Sequence, residues 1–184
     1  VRTPHCSLKG TRTLAANRHV RVFVATDAMQ VLACRRSASR AYLIGDRGEC
    51  QNSAAIDTAV VAGTFAAINV RTCSLTHAEA GIGLVDLRNG HVAYATNALT
   101  TPSLESETDA IRGMVVTPRG RVAWLALRRT GLQTLAIEVR RRAHGPDRHS
   151  ALLDSGTGID PRSLRRRGGR VVWTNAGARH SASM

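Results

Sequence analysis

Three aspartates recur in the same setting. Asp57 stands in IDTAVV, Asp109 in DAIRGMVV and Asp160 in IDPRSL, each near the start of a new segment that follows a loop. Carboxylates that converge from equivalent positions can hold a hard cation such as Ca2+ through oxygen ligands, or act as general acid and base. Asp in such a place also bonds to nearby backbone N–H groups and ends a loop. Asp57, Asp109 and Asp160 are therefore metal candidates set against a capping role. A second group, His144, Asp147 and His149 in RRRAHGPDRHS, has donor types that suit a metal, but it also reads as a solvated polar loop. Other chemistries lack their motifs: there is no H-E-x-x-H, no Gly-x-Ser-x-Gly and no C-x-x-C, and Gly81-Ile-Gly83 lacks the rest of a phosphate loop. No residue is assigned a catalytic role.

The arginines carry the stronger signal. The chain has 26 basic residues, all but one of them Arg, against 13 acidic ones, for a net charge of +13. Codon preference accounts for Arg over Lys but not for the excess of positive charge. Such a field attracts anionic partners: an anionic polymer, an acidic protein surface, nucleic acid or lipid headgroups. The charge is uneven, since residues 119–184 hold fourteen Arg against Glu138, Asp147, Asp154 and Asp160. The runs Arg140-Arg141-Arg142 and Arg166-Arg167 are the anion-binding candidates. With only two Trp, two Tyr and two Phe in the chain, stacking on bases is poorly served.

Cys6, Cys34, Cys50 and Cys73 all lie in the first 73 residues. An even number at wide spacing suits two disulfides in an oxidising compartment, which points to a secreted or cell-surface protein; four buried thiols are the alternative. The sequence starts at Val1 and shows no signal peptide, as a processed or a trimmed chain would. The longest apolar run, Ala54 to Val70, contains Asp57 and Asn69 and is too short for a membrane span.

The elements that must position these groups repeat. VVAGTFAAINV, VVTPRGRVAWLAL and LRRRGGRVVWT each place a glycine turn between two apolar segments, and TLAANRHVRVFVA does the same around Asn17. The hairpins return roughly every fifty residues, a spacing typical of four-stranded units. Two more strands follow each hairpin, as in IGLVDLRNGHVAYAT, whose Asn89-Gly90 is a strong hairpin cue. The chain thus reads as one all-β domain, residues 1–184, of four units with strands a to d: about 11–46, 56–97, 109–154 and 160–184, the last one strand short and completed by the N-terminal segment near Thr3 to Lys9. Trp124 and Trp173 fall at the same position of strand b, where they should fill the gap between units. Val22, Val24, Val122, Trp124, Val171 and Trp173 should be buried, with one face of each b strand more buried than the other.

The Gly-x-Val-Ala/Val-Trp hairpins, the VDLRNG turn and LLDSG resemble bacterial β-propeller repeat proteins of the TolB-like or WD40-like kind. The resemblance implies an array of about four four-stranded antiparallel blades; a β-sandwich is the rival. In a blade, d–a and b–c connections share one face, which makes Cys50 and Cys73 neighbours and leaves Cys6 to Cys34. The same connectivity collects Arg-rich a–b and c–d turns on one face and Asp- and Glu-rich d–a loops on the other. The function expected is a non-enzymatic, exported binding or scaffold module with a basic face. The alternatives are a glycan-acting hydrolase or lyase using carboxylates at a channel mouth, and nucleic-acid binding through the Arg surface.

Overall fold

A computed structural model describes residues 5–25, 29–38, 40–47, 54–73, 78–99, 107–130, 133–143 and 149–184. The described residues form no helix and fifteen strands, in four antiparallel meanders. The first is β1 (Thr11–Ala16), β2 (Val20–Ala25), β3 (Gln30–Arg35) and β4 (Ala41–Asp46). The second is β5 (Ala54–Ala62), β6 (Phe65–Cys73), β7 (Ala78–Asp86) and β8 (His91–Asn97). The third is β9 (Glu107–Val116), β10 (Val122–Thr130), β11 (Gln133–Arg142) and β12 (Ala151–Ser155). The fourth has three strands, β13 (Arg165–Arg167), β14 (Arg170–Asn175) and β15 (Ala178–Ser183). Single parallel bridges, Asp46 to Ala55 and Ala78 to Thr108, link the first three meanders into one hydrogen-bonded sheet. A one-residue bridge contributes little against the long antiparallel ladders, so the meander is the cooperative unit of pairing.

Turn chemistry explains the hairpins. Asn17 turns the first by accepting the N–H groups of His19 and Val20 on its Oδ1. Gly63 and Gly168 open two-residue turns with φ near +57°, where a side chain would be strained. The Asn89-Gly90 cue does mark a hairpin, but its loop runs over four residues, between the paired Asp86 and His91. Only Gly90 takes a positive φ there. The loop is longer because Leu87 dips fully into the core.

Each complete meander bends in the same two places. One unpaired residue bulges from the first strand (Leu14, Asp57, Arg112) and one from the last (Ile44, Ala93, Leu153). Bulges strengthen the local twist, so the repeat seen in sequence is also a repeat of shape.

The core is layered between meanders. Val22, Val24 and Val31 of the first pack with Ile56, Ala66 and Ile68 of the second. Ala67, Ile82 and Leu84 of the second pack with Val122, Trp124 and Ala126 of the third. Leu125, Leu127 and Val139 of the third pack with Val171 and Trp173 of the fourth. All six residues expected in the core are buried. The expected one-sided burial of b strands is not found: Ala123 and Leu125 are as buried as Val122 and Trp124. A strand between two neighbouring meanders is covered on both faces, and it reads as a continuous apolar run for that reason. The two tryptophans are equivalent in contact as well as position. Each indole N–H reaches back to the end of the preceding meander, Trp124 to the Ala98 carbonyl at 2.7 Å and Trp173 to Asp154 Oδ2 at 2.6 Å.

The first strands lie side by side, β1 by β5, β5 by β9 and β9 by β13. Their turns gather at one end: Asn17 donates to the Gly63 carbonyl at 3.2 Å, and a Cβ on Gly63 would come within 3.1 Å of Pro118. His5–Gly10 forms turns against the first meander, where Cys6 is bonded to Cys34 with a Cα separation of 5.6 Å. In the described residues this segment adds no strand to β15, whose partner is β14.

Candidate anion site

The five arginines singled out in the sequence divide into three environments. Arg140 is buried and its guanidinium is engaged, by Glu138 at 2.8 Å and by Ser150 Oγ at 2.8 Å. A buried ion pair with further hydrogen bonds is a satisfied structural element, so Arg140 does not belong to an open anion site. Arg166 and Arg167 are adjacent on β13 and therefore face opposite ways. Arg167 joins Arg165 and Arg179 on the outer face of the fourth meander, around an open depression of about 410 Å³ that also holds Asp160 and Arg162. Arg166 turns to the third meander. Arg141 and Arg142, at the end of β11, meet the same place.

There the structure forms a basic cleft. One cavity of about 370 Å³ is lined by Arg121, Val122, Arg141, Arg142, Ala143, His149, Ala151, Ser183 and Met184. A second, of about 220 Å³, shares Arg121 and Met184 and adds Arg119, Arg166 and the Gly168–Gly169 turn. The elements that place these groups are the first turn of the third meander, the end of β11, the β13–β14 turn and the end of β15. No Asp or Glu lines either cavity among the described residues. Arg121 donates to the Met184 carbonyl and Arg141 to the Ser183 carbonyl; a guanidinium has several more N–H groups to offer.

Arg142 differs from its neighbours. It is only 7% exposed, and its guanidinium carbon lies 4.1 Å from the centre of the Tyr94 ring. Its Nε is buried without an acceptor among the described residues, and so is the Tyr94 hydroxyl. Burial pushes the Tyr94 phenol well above its ordinary range, and Arg142 opposes this weakly. Burying an unpaired ion costs several kcal/mol, and a desolvated cation–π contact returns about 2 kcal/mol. The balance leaves this cation in want of a counter-ion.

Sequence reasoning passed over Arg121 and Tyr94. Arg121 was legible as the Arg of the Gly-Arg-Val repeat; its counterpart Arg170 instead bonds across its sheet to Ser181 Oγ at 2.8 Å. Tyr94 gave no signal, because its role depends on β8 lying beside a strand of the next meander.

The carboxylates are engaged locally. Asp57 pairs with Arg71 at 3.2 Å, both side chains partly exposed, and Asp160 caps its own loop by accepting the Arg162 N–H at 2.9 Å. The Asp109 side chain, His144 and Asp147 lie outside the described residues. Among the described residues no three His, Cys, Asp or Glu side chains gather to hold a metal. The Cys50–Cys73 pairing also falls outside the described residues. No helix among the described residues is long and apolar enough to cross a membrane. No protein-family model and no curated protein matches the chain.

Proposed function

We propose that this chain is a non-enzymatic, exported binding module of β-propeller type, whose basic cleft between the third and fourth meanders takes an anionic polymer. The observation that carries this reading is the convergence of Arg119, Arg121, Arg141, Arg142 and Arg166 on two adjoining cavities without a lining carboxylate. The blade reading is supported by the side-by-side first strands and by three core layers, where a two-sheet sandwich has one. The Cys6–Cys34 disulfide supports export. An acidic polysaccharide suits the cleft better than nucleic acid, because its sulfate or carboxylate groups need only cations, whereas single-stranded bases also want aromatic platforms.

The test is binding to a sulfated polysaccharide over a range of salt. Affinity should fall steeply with salt as counter-ions are released. Replacing Arg119, Arg121, Arg141 and Arg166 together by Ser should weaken binding and flatten its salt dependence, with the fold intact because none of the four is buried. Undiminished binding by this variant would remove the assignment.

A further inference from the structure

We infer that Arg142, with Arg121 and Arg141, forms a socket for one tetrahedral oxyanion, a sulfate or phosphate group borne by the larger ligand. The inference deepens the anionic-polymer reading and rests on it only for the identity of that larger ligand. Three observations support it. Arg142 is a buried cation whose Nε finds no acceptor among the described residues, at the wall of a cavity large enough for a small ligand. Tyr94 backs the guanidinium and holds its plane. Arg121 and Arg141 approach the same cavity from the start of β10 and the end of β11.

This geometry discriminates among anions. Guanidinium forks bind oxyanions through paired N–H donors. A planar carboxylate offers two oxygens in one plane, which suits one fork or two. Three forks from different strand ends are better matched by oxygens that point out of a plane, as on sulfur or phosphorus. The exposed Arg119 and Arg166 lie in the adjoining cavity and would meet the next charged group along a polymer.

The probe is inorganic phosphate, then sulfate, each compared with acetate and chloride at equal ionic strength. Thermal unfolding should shift upward in a saturable way with phosphate and sulfate, as for any ligand that binds only the folded state. Equilibrium dialysis should give one ion per chain. Arg142→Met should lower phosphate affinity about tenfold or more, the loss expected for a charge-assisted hydrogen-bonded contact. If that variant fails to fold, Arg121→Ser, at an exposed position, should weaken phosphate binding in the same direction. Arg119→Ser with Arg166→Ser should leave phosphate binding unchanged while weakening polymer binding. Stabilisation by phosphate no greater than by chloride or acetate would overturn the socket, as would an Arg142→Met or Arg121→Ser protein with full phosphate affinity. The two readings separate cleanly. Polymer binding without phosphate binding removes the socket alone, and phosphate binding without polymer binding removes the polymer alone.

Discussion

Replacing Trp124 probes the layered core most sharply. Its ring is fully buried between the second and third meanders, and its indole N–H satisfies the Ala98 carbonyl at 2.7 Å. Trp124→Ala removes the ring and leaves a cavity, at about 3–5 kcal/mol, and it orphans that carbonyl at about 1 kcal/mol more. The sum, about 4–6 kcal/mol, is comparable with the whole stability of many domains. At roughly 2–4 °C per kcal/mol for a chain of this size, the melting temperature should fall by about 10–20 °C. Trp124→Phe keeps most of the apolar surface and should cost about 1–2 kcal/mol, chiefly through the carbonyl. Denaturant unfolding followed by circular dichroism, with Trp173 fluorescence as a second probe, measures both. A loss below about 1 kcal/mol for Trp124→Ala would mean that the ring is not enclosed between meanders, and the layered packing would fall with it.

Other consequences are equally open to measurement. Breaking the Cys6–Cys34 bond, which spans 28 residues, by Cys34→Ser should cost about 3–4 kcal/mol in denaturant unfolding of the oxidised against the variant protein. Asp154→Ala should cost about 1–3 kcal/mol, because it strands the indole N–H of Trp173 and the amide of Asn175; Asp154→Asn should recover part of this. Gly90→Ala should destabilise by more than about 1 kcal/mol, since Gly90 has φ near +76° and a Cβ there would overlap the Tyr42 ring. The Tyr94 phenol is raised above its ordinary value of 10.0, so its contribution is fully present below that pH and is lost as pH rises toward the folded value. Stability should therefore decline above about pH 10, and Tyr94→Phe should lessen the decline.

The hairpins were legible because turn residues and strand period are local properties. Asn17, Gly63, Gly120 and Gly168 sit where they must, and the apolar runs between them become strands. Burial on both faces was not legible in β10, since alternation is erased when each face meets another meander. The anion site was legible in part. Arg141, Arg142 and Arg166 meet in the cleft, but sequence could not separate Arg140, whose partner Glu138 lies two residues away on the same face of β11. Nor could it part Arg166 from Arg167 until β13 was known to be a strand. The Asp57 bulge hides a different limit: its partner Arg71 comes from the neighbouring strand, a register that sequence does not supply.

Amide hydrogen exchange with and without a sulfated polysaccharide tests the central claim most directly, because it locates the bound surface on the intact chain. The cleft predicts new protection in residues 117–121, 141–143 and 166–169, with little change in the first meander. Protection centred on β1 to β4, or none at the third and fourth meanders while the polymer is bound, would contradict the account.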